Sequence, residues 1–304
     1  MISAIICTYN REKYLDQLLT SIEKQSISPR NFEVVIVNNN STDNTESLCL
    51  RFIDRNAHIS VKYVIEKEQG LSHARNRGIV ESSGEFVTFL DDDAILTESF
   101  LEVVFDYFLN NADTDCIGGR IFLQYEDEQP PWVSKYMAEM FGFFDMGEKI
   151  KDFGSRQFPR GSNMSFRKTV FDQVGYFNTA LGRRGDGMLG SEEKELFFRM
   201  HRMGFRSVYL PNALVYHYVP NSRLEMRQVI KQVQGIGCSE AIMARQAGTQ
   251  GVIGLVIREC FKWVASTILL PVYVFKGTYR KGLFLFRFRY HIFKGIRKAF
   301  VNNI

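Results

Sequence analysis

Two short runs near the start of the chain, Ile2–Thr8 (Ile-Ser-Ala-Ile-Ile-Cys-Thr) and residues 32–37 (Phe-Glu-Val-Val-Ile-Val), restrict its fold more than any other feature. A strand with one wet face alternates apolar and polar residues. A continuous apolar run implies burial on both faces, and therefore a mostly parallel sheet covered by helices. The intervening sequence supplies those helices. Residues 12–26 carry Leu15, Leu18, Leu19 and Ile22 at helical spacing. Further helices are expected at about 44–53 and at 72–82, with strands at 61–65 and at 85–90.

In open sheets of this kind ligands bind outside the carboxyl ends of the strands. Three polar segments fall there: residues 8–11 (Thr-Tyr-Asn-Arg), 38–43 (Asn-Asn-Asn-Ser-Thr-Asp) and 91–93 (Asp-Asp-Asp). Adjacent carboxylates repel one another and rarely stabilise a fold. At the end of a buried strand they suit a hard divalent cation and polar ligand groups, and the competing reading is a solvated acidic turn capping the next helix. The coincidence of three such segments favours a site.

From Cys116 onward the pattern is mixed. A strand is expected at 117–125, a loop at 126–131, a loop leading into a strand at 160–166, a helix at 191–203, and short strands at 207–210 and 213–217. Residues 182–190 hold four glycines and form a candidate lid. The five cysteines lack metal-ligand or disulfide-framework spacing, which points to a reducing compartment. Residues 1–7 are apolar without a basic leader, so no signal peptide is expected.

Six segments in order carry a family resemblance. They are Cys7-Thr-Tyr-Asn-Arg11, Val37 to Thr45, Gly70-Leu-Ser-His-Ala-Arg-Asn-Arg-Gly78, Phe89-Leu-Asp-Asp-Asp93, Ser191-Glu-Glu-Lys-Glu-Leu196 and Val215-Tyr-His217. Over residues 1–220 the chain resembles the family 2 glycosyltransferases of GT-A fold. The resemblance implies a Rossmann-like mixed α/β sheet and a hexosyltransferase-type enzyme. It implies inverting transfer of a sugar from a nucleoside diphosphate donor to a glycan or lipid-linked acceptor in cell-surface polysaccharide synthesis, assisted by Mg2+ or Mn2+. Residues 1–110 would form the nucleotide-binding half, 111–220 the acceptor half, and 221–304 a helical extension.

The same resemblance assigns roles. Asp93 would bind the metal and Asp92 the ribose or a metal-bound water, while Asp91, also on the nucleotide-sugar side, would orient the other two. His217 would be a further metal or diphosphate ligand, against the alternative of a core histidine bonded to backbone. Thr8, Asn10, Arg11, Asn40, Ser72 and Arg75 would line the nucleotide pocket, although Arg75 also suits a helix cap. Asn38 stands where the family commonly has Asp. Asn38 would still line the nucleotide pocket, but Asn both donates and accepts, which weakens the case for uracil; UDP remains the first expectation, with dTDP or GDP open. Glu193 takes the place of the motif's Asp and would be the base that activates the acceptor, with Glu192 as its alternate. Both carboxylates also suit a helix N-terminus. Trp132 could stack on an acceptor sugar or pack in the fold. Asp186, Arg183 and Arg184 could reach acceptor or phosphate, or be solvated.

The tail has its own logic. Residues 261–304 hold nine Lys or Arg and no Asp or Glu. The uncharged stretch 263–275 is too short to span a bilayer and contains Pro271. Basic and aromatic residues alternate after it, which suits attachment to an anionic membrane surface. No nucleic-acid motif accompanies these charges. The expectation is a peripheral or monotopic protein on the cytoplasmic face; the alternatives are a span that extends back to Val252 and so admits Arg258, Glu259 and Lys262, and an ordinary helical subdomain packing on the core with a basic outer face. Two other classes compete: a nucleotidyltransferase of related fold, which should show a Gly-rich loop after the first strand, and a catalytically inactive membrane adaptor.

Overall fold

The computed structural model describes residues 1–154, 157–185, 187 and 190–301. It divides into two compact units. The first comprises Met1–Gln124, Gly142–Ala180 and Glu192–Tyr218; the second comprises Tyr125–Phe141, Leu181–Ser191 and Val219–Ile304.

The first unit is built on a mixed sheet. Strands β1 (Ile2–Thr8), β2 (Phe32–Asn38), β3 (Ser60–Ile65) and β4 (Phe86–Asp91) are mutually parallel in the order β3-β2-β1-β4. The continuous apolar runs have the outcome their pattern requires: every residue of β2 is buried, and in β1 only Cys7 is partly open. Alternate side chains serve opposite faces. Ile2, Ala4 and Ile6 join Val34, Ile36, Phe86 and Leu90 on one side. Ile5, Val35, Val37, Val87 and Phe89 form the other core. Helices α1 (Leu15–Glu23), α2 (Thr45–Arg55) and α3 (Leu71–Glu81) connect the parallel strands, within a few residues of the expected bounds.

Beyond β4 the sheet turns antiparallel. Next come β5 (Ala94–Leu96), α4 (Phe100–Asn110), β6 (Cys116–Tyr125), the single-turn α5 (Lys135–Ala138), β7 (Lys151–Asp152), β8 (Met164–Arg167), α6 (Val170–Val174) and α7 (Glu192–Arg202). The last strand, β9 (Ser207–Val219), is one element where two short strands were expected. Proline's φ suits extended backbone, and Pro211 lies between residues held by two partners. Val208 and Tyr209 pair with β7, and Val215–His217 pair with β5. The three-residue β5 has no readable periodicity of its own and owes its existence to β9.

The second unit gathers the helices α8 (Asn221–Leu224), α9 (Met226–Gln246), α10 (Gly248–Phe275) and α11 (Tyr279–Val301). Segments 125–141 and 181–191 belong to the helical unit together with the chain from Val219 onward. Gln232 donates to the Met140 carbonyl at 2.8 Å, and Glu126 donates its N–H to the Val219 carbonyl at 3.1 Å. Helices α9 and α11 meet at glycines. A Cβ on Gly237 would lie 2.2 Å from the Ile292 carbonyl oxygen, and one on Gly295 would lie 2.1 Å from that of Gln234. A small core of Cys238, Ala241, Ala244, Leu255 and Ala299 lies among these helices. No described helix is long and apolar enough to cross a membrane.

Candidate active site

The polar segments meet at the carboxyl ends of β1, β2 and β4. Thr8 is register partner of Asn38, and Cys7 of Asp91. The two loops that follow β1 and β2 are tied together. Ser41 Oγ accepts the Asn10 N–H at 3.0 Å, Asn10 Oδ1 accepts the Thr42 N–H at 2.8 Å, and Thr45 Oγ1 accepts the Arg11 N–H at 3.0 Å. Asn10 and Asn40 both adopt positive φ (53° and 64°), a conformation asparagine tolerates better than most residues, and both are exposed. Asn38 is buried and engaged internally: its amide donates to Tyr63 Oη, and its carbonyl accepts the Ser41 N–H, each at 2.8 Å. Its side chain thus shapes the turn.

The acidic triplet divides by partner. Strand β4 ends at Asp91, and the turn that carries Asp92 and Asp93 into β5 gives the three carboxylates different partners. Asp92 is buried and lies 3.3 Å from Arg11 Nε. Burial pushes its carboxyl up to about 7, with Asp93 and Asp91 adding to the rise and Arg11 opposing it. Asp91 and Asp93 converge with His217, donor atoms lying within 4.8 Å of one another. His217 Nδ1 is 3.2 Å from Asp93 Oδ1. Strand β9 brings it there: His217 is register partner of Ala94, and the Tyr218 N–H bonds the Asp93 carbonyl at 2.9 Å. Two carboxylates and an imidazole form a donor set compatible with a divalent cation. Burial pushes the neighbouring Cys7 thiol up to about 12, so it stays neutral.

Arg75 organises the second half of the site. It projects from α3, is buried, and packs its guanidinium over the Phe177 ring, 5.3 Å from the centroid. One nitrogen bonds Glu192 at 2.9 Å. The other bonds Glu193 at 3.0 Å and lies 3.7 Å from Asp91. Burial would lower the guanidinium pKa, but Glu193, Glu192 and Asp91 together raise it, so Arg75 is a permanent cation. Ser72 is buried in the first turn of the same helix. Arg75 is therefore a bridge between the carboxylates of α7 and the acidic triplet, and not a cap.

Glu192 and Glu193 open α7 but differ in access. The Glu192 side chain is 5% exposed and the Glu193 side chain 22%. Burial raises the Glu193 pKa and Glu192 adds to it, against Arg75 and Arg160. Gly161 makes room for the group, since a Cβ there would lie 2.0 Å from Glu193 Oε1 and 2.4 Å from Arg75 Nη2. Arg160 sits between the Phe144 and Phe158 rings, 5.2 and 4.8 Å from their centroids. Neither Arg160 nor Gly161 was expected in the site. The signal was the Arg160-Gly-Ser-Asn loop immediately ahead of a buried strand.

Of the acceptor candidates, Asp186 lies outside the described residues, and Arg183 and Arg184 are exposed. Trp132 belongs to the helical unit, where its ring packs 4.4 Å from that of Phe284.

A mixed sheet with a metal-compatible Asp-Asp-His group and an arginine-held carboxylate pair at its strand ends has the architecture of a GT-A transferase. Glycosyl transferase family 2 matches residues 3–175, and the chain belongs to that family of glycosyltransferase enzymes. It is 27% identical over 249 residues to a glucosyl-dolichyl phosphate glucuronosyltransferase of Haloferax volcanii, covering 80% of this chain and 77% of the relative. It is 30% identical over 194 residues to the glycosyltransferase GlyG of Streptococcus pneumoniae, covering 61% and 62%. In fold it matches the mannosyltransferase PcManGT of Pyrobaculum calidifontis, solved with GDP-Man and Mn2+. That match has a TM-score of 0.68 at 17% identity and covers 100% of this chain and 88% of the other. It also matches S. aureus TarS in complex with UDP-GlcNAc, with a TM-score of 0.55 at 21% identity over 72% and 58% of the two chains. Family membership sets the nucleotidyltransferase reading aside.

Proposed function

We propose that this enzyme transfers a hexosyl group, with inversion, from a nucleoside diphosphate sugar to a glycan or lipid-linked acceptor in cell-surface polysaccharide synthesis. The observation that carries the proposal is the bridging position of Arg75, which joins Glu193 and Glu192 to Asp91 and so to the Asp93–His217 group. Asp91, Asp93 and His217 would hold Mg2+ or Mn2+, which offsets the charge gathering on the departing diphosphate. Arg11, beside Asp92, adds fixed positive charge on the nucleotide side. Glu193 takes the proton of the acceptor hydroxyl, and the resulting oxygen attacks the anomeric carbon on the face opposite the leaving group. Arg75 keeps the Glu193 carboxylate aimed, and the buried Glu192 keeps Arg75 aimed.

UDP is the first donor to test, because the relatives include a UDP-GlcNAc complex, and GDP the second, because they include a GDP-Man complex. Attachment of the C-terminal helices to the cytoplasmic face of a membrane, peripheral or monotopic, suits a lipid-linked acceptor such as that named for the Haloferax relative. The basic, acid-free tail and the unpaired cysteines support that location.

The test is donor hydrolysis and transfer across UDP-, GDP- and dTDP-sugars, with and without Mn2+. Metal-dependent turnover of one donor is expected, and Asp93→Ala should abolish both turnover and metal-dependent donor binding. Unchanged donor binding by Asp93→Ala, or turnover of no donor, would leave the inactive-adaptor reading in its place.

A further inference from the structure

Helix α10 shows an inverted distribution of side chains. Over Gly248–Phe275 only Leu255 and Ser266 are buried, although the helix is rich in large apolar residues. Ile253, Ile257, Phe261, Val264, Ile268 and Phe275 recur at spacings of three, four or seven, which aligns them on one face about 33 Å long at ~1.5 Å per residue. All six are exposed, Ile268 at 64%, Phe261 at 72% and Phe275 at 91%. The charges of the helix lie off this face and are paired, Glu259 partly buried and Arg258 and Lys262 exposed. Glu259 accepts Lys262 at 2.6 Å and lies 3.9 Å from Arg289 of α11, while Arg258 pairs with Glu240 of α9 at 3.2 Å. Helical spacing sets Glu259 and Lys262 on the side of Leu255 and Ser266, opposite the apolar stripe. In water the opposite arrangement would be favoured, because exposing apolar surface is costly.

The surroundings of the stripe identify its occupant. Lys276, Arg280 and Lys281 follow its C-terminal end, and Arg287, Lys294 and Arg297 are exposed along α11. No acidic residue occurs between Phe261 and Ile304. A second copy docked on this face would bring two cationic flanks together, whereas anionic lipid headgroups would neutralise them. Exposed Tyr279 and Tyr290 have the amphipathic rings suited to a headgroup layer.

We infer that α10 lies in the plane of an anionic phospholipid bilayer, with the face from Ile253 to Phe275 inserted among the acyl chains and the cations of α11 at the headgroups. The inference rests on the membrane reading above and deepens it: α10 is the inserting element, and the basic α11 sets the lipid preference.

The test is flotation of the full chain with vesicles of phosphatidylcholine, with or without phosphatidylglycerol. The wild-type chain should float, and more strongly when phosphatidylglycerol is present. The double variant Phe261→Glu/Ile268→Glu should lose partitioning by about tenfold or more while keeping its circular dichroism, since it places charge in the acyl region. Arg280→Gln/Lys281→Gln should lose only the phosphatidylglycerol-dependent, salt-sensitive part. A wild-type chain that stays unbound with both lipids, or a double variant that floats like wild type, overturns the inference. A wild-type dimer that the double variant converts to monomer would also overturn it and assign the face to a second copy. Donor hydrolysis measured on the same samples separates the two proposals: hydrolysis without flotation sinks the bilayer inference alone, and flotation without hydrolysis sinks the transferase reading alone.

Discussion

The sheet unit and the helical unit use the same apolar residue types in opposite ways. In β1, β2 and β4 the isoleucines, valines and phenylalanines are enclosed on both faces, and charge is confined to the strand ends. In α10 comparable side chains face outward, and the charges lie off that face, paired with neighbouring helices. An apolar pattern thus specifies that a face must be covered, but not by what. In the sheet the cover is the protein's own helices, whereas α10 leaves its face for an external partner.

The largest effect expected in this comparison comes from the strand-end chemistry. Glu193→Gln should lower transfer about 10²–10⁴-fold while leaving donor binding intact, as single-turnover transfer and donor titration would report. Retained transfer would move the base to Glu192. A core change comes next. Phe89 is fully buried, stacked edge-on against Phe166, Phe171 and Phe177, and Phe89→Ala should cost about 3–5 kcal/mol in denaturant unfolding.

A smaller effect concerns pH. Burial and Glu192 raise the Glu193 pKa, so the acid limb of kcat/KM should lie above the ordinary carboxylate range and disappear in Glu193→Gln. The sign for stability is opposite. The native state holds this proton more tightly than the unfolded chain, so this group's contribution is present below the ordinary Glu pKa and lost as pH rises through the raised one. The smallest effect is on α10: Phe261→Ala should change folding stability by no more than about 0.5 kcal/mol, since its ring is exposed. A core-sized loss there would erase the contrast between the two units.

Much of the first hundred residues was legible because the determinants are local. Continuous apolar runs, helical spacing and turn residues predicted β1, α1, β2, α2, β3, α3 and β4 almost to their ends. The site was legible as a set of segments but not as an arrangement. Asp92 lies 3.3 Å from Arg11, and Asp91, expected on the nucleotide-sugar side, stands with Asp93 and His217. Asn38 was expected in the nucleotide pocket as a departure from the family's Asp, and the internal bonds of its amide to Tyr63 and Ser41 had no signal in the sequence. The join of segments 125–141 and 181–191 to the C-terminal helices has no local signature at all.

The sequence by itself determined the sheet class, the strand ends that bear polar groups and the family, because each follows from short-range pattern or from the order of motifs. Only the tertiary structure decided which carboxylates meet. Arg75 finds Glu192 and Glu193 at sequence separations of 117 and 118, and His217 reaches the triplet through the pairing of β9 with β5. It also decided that α10 turns its apolar side outward. Such pairings depend on which faces remain uncovered once the sheet has closed, a property of the assembled chain and of no single segment.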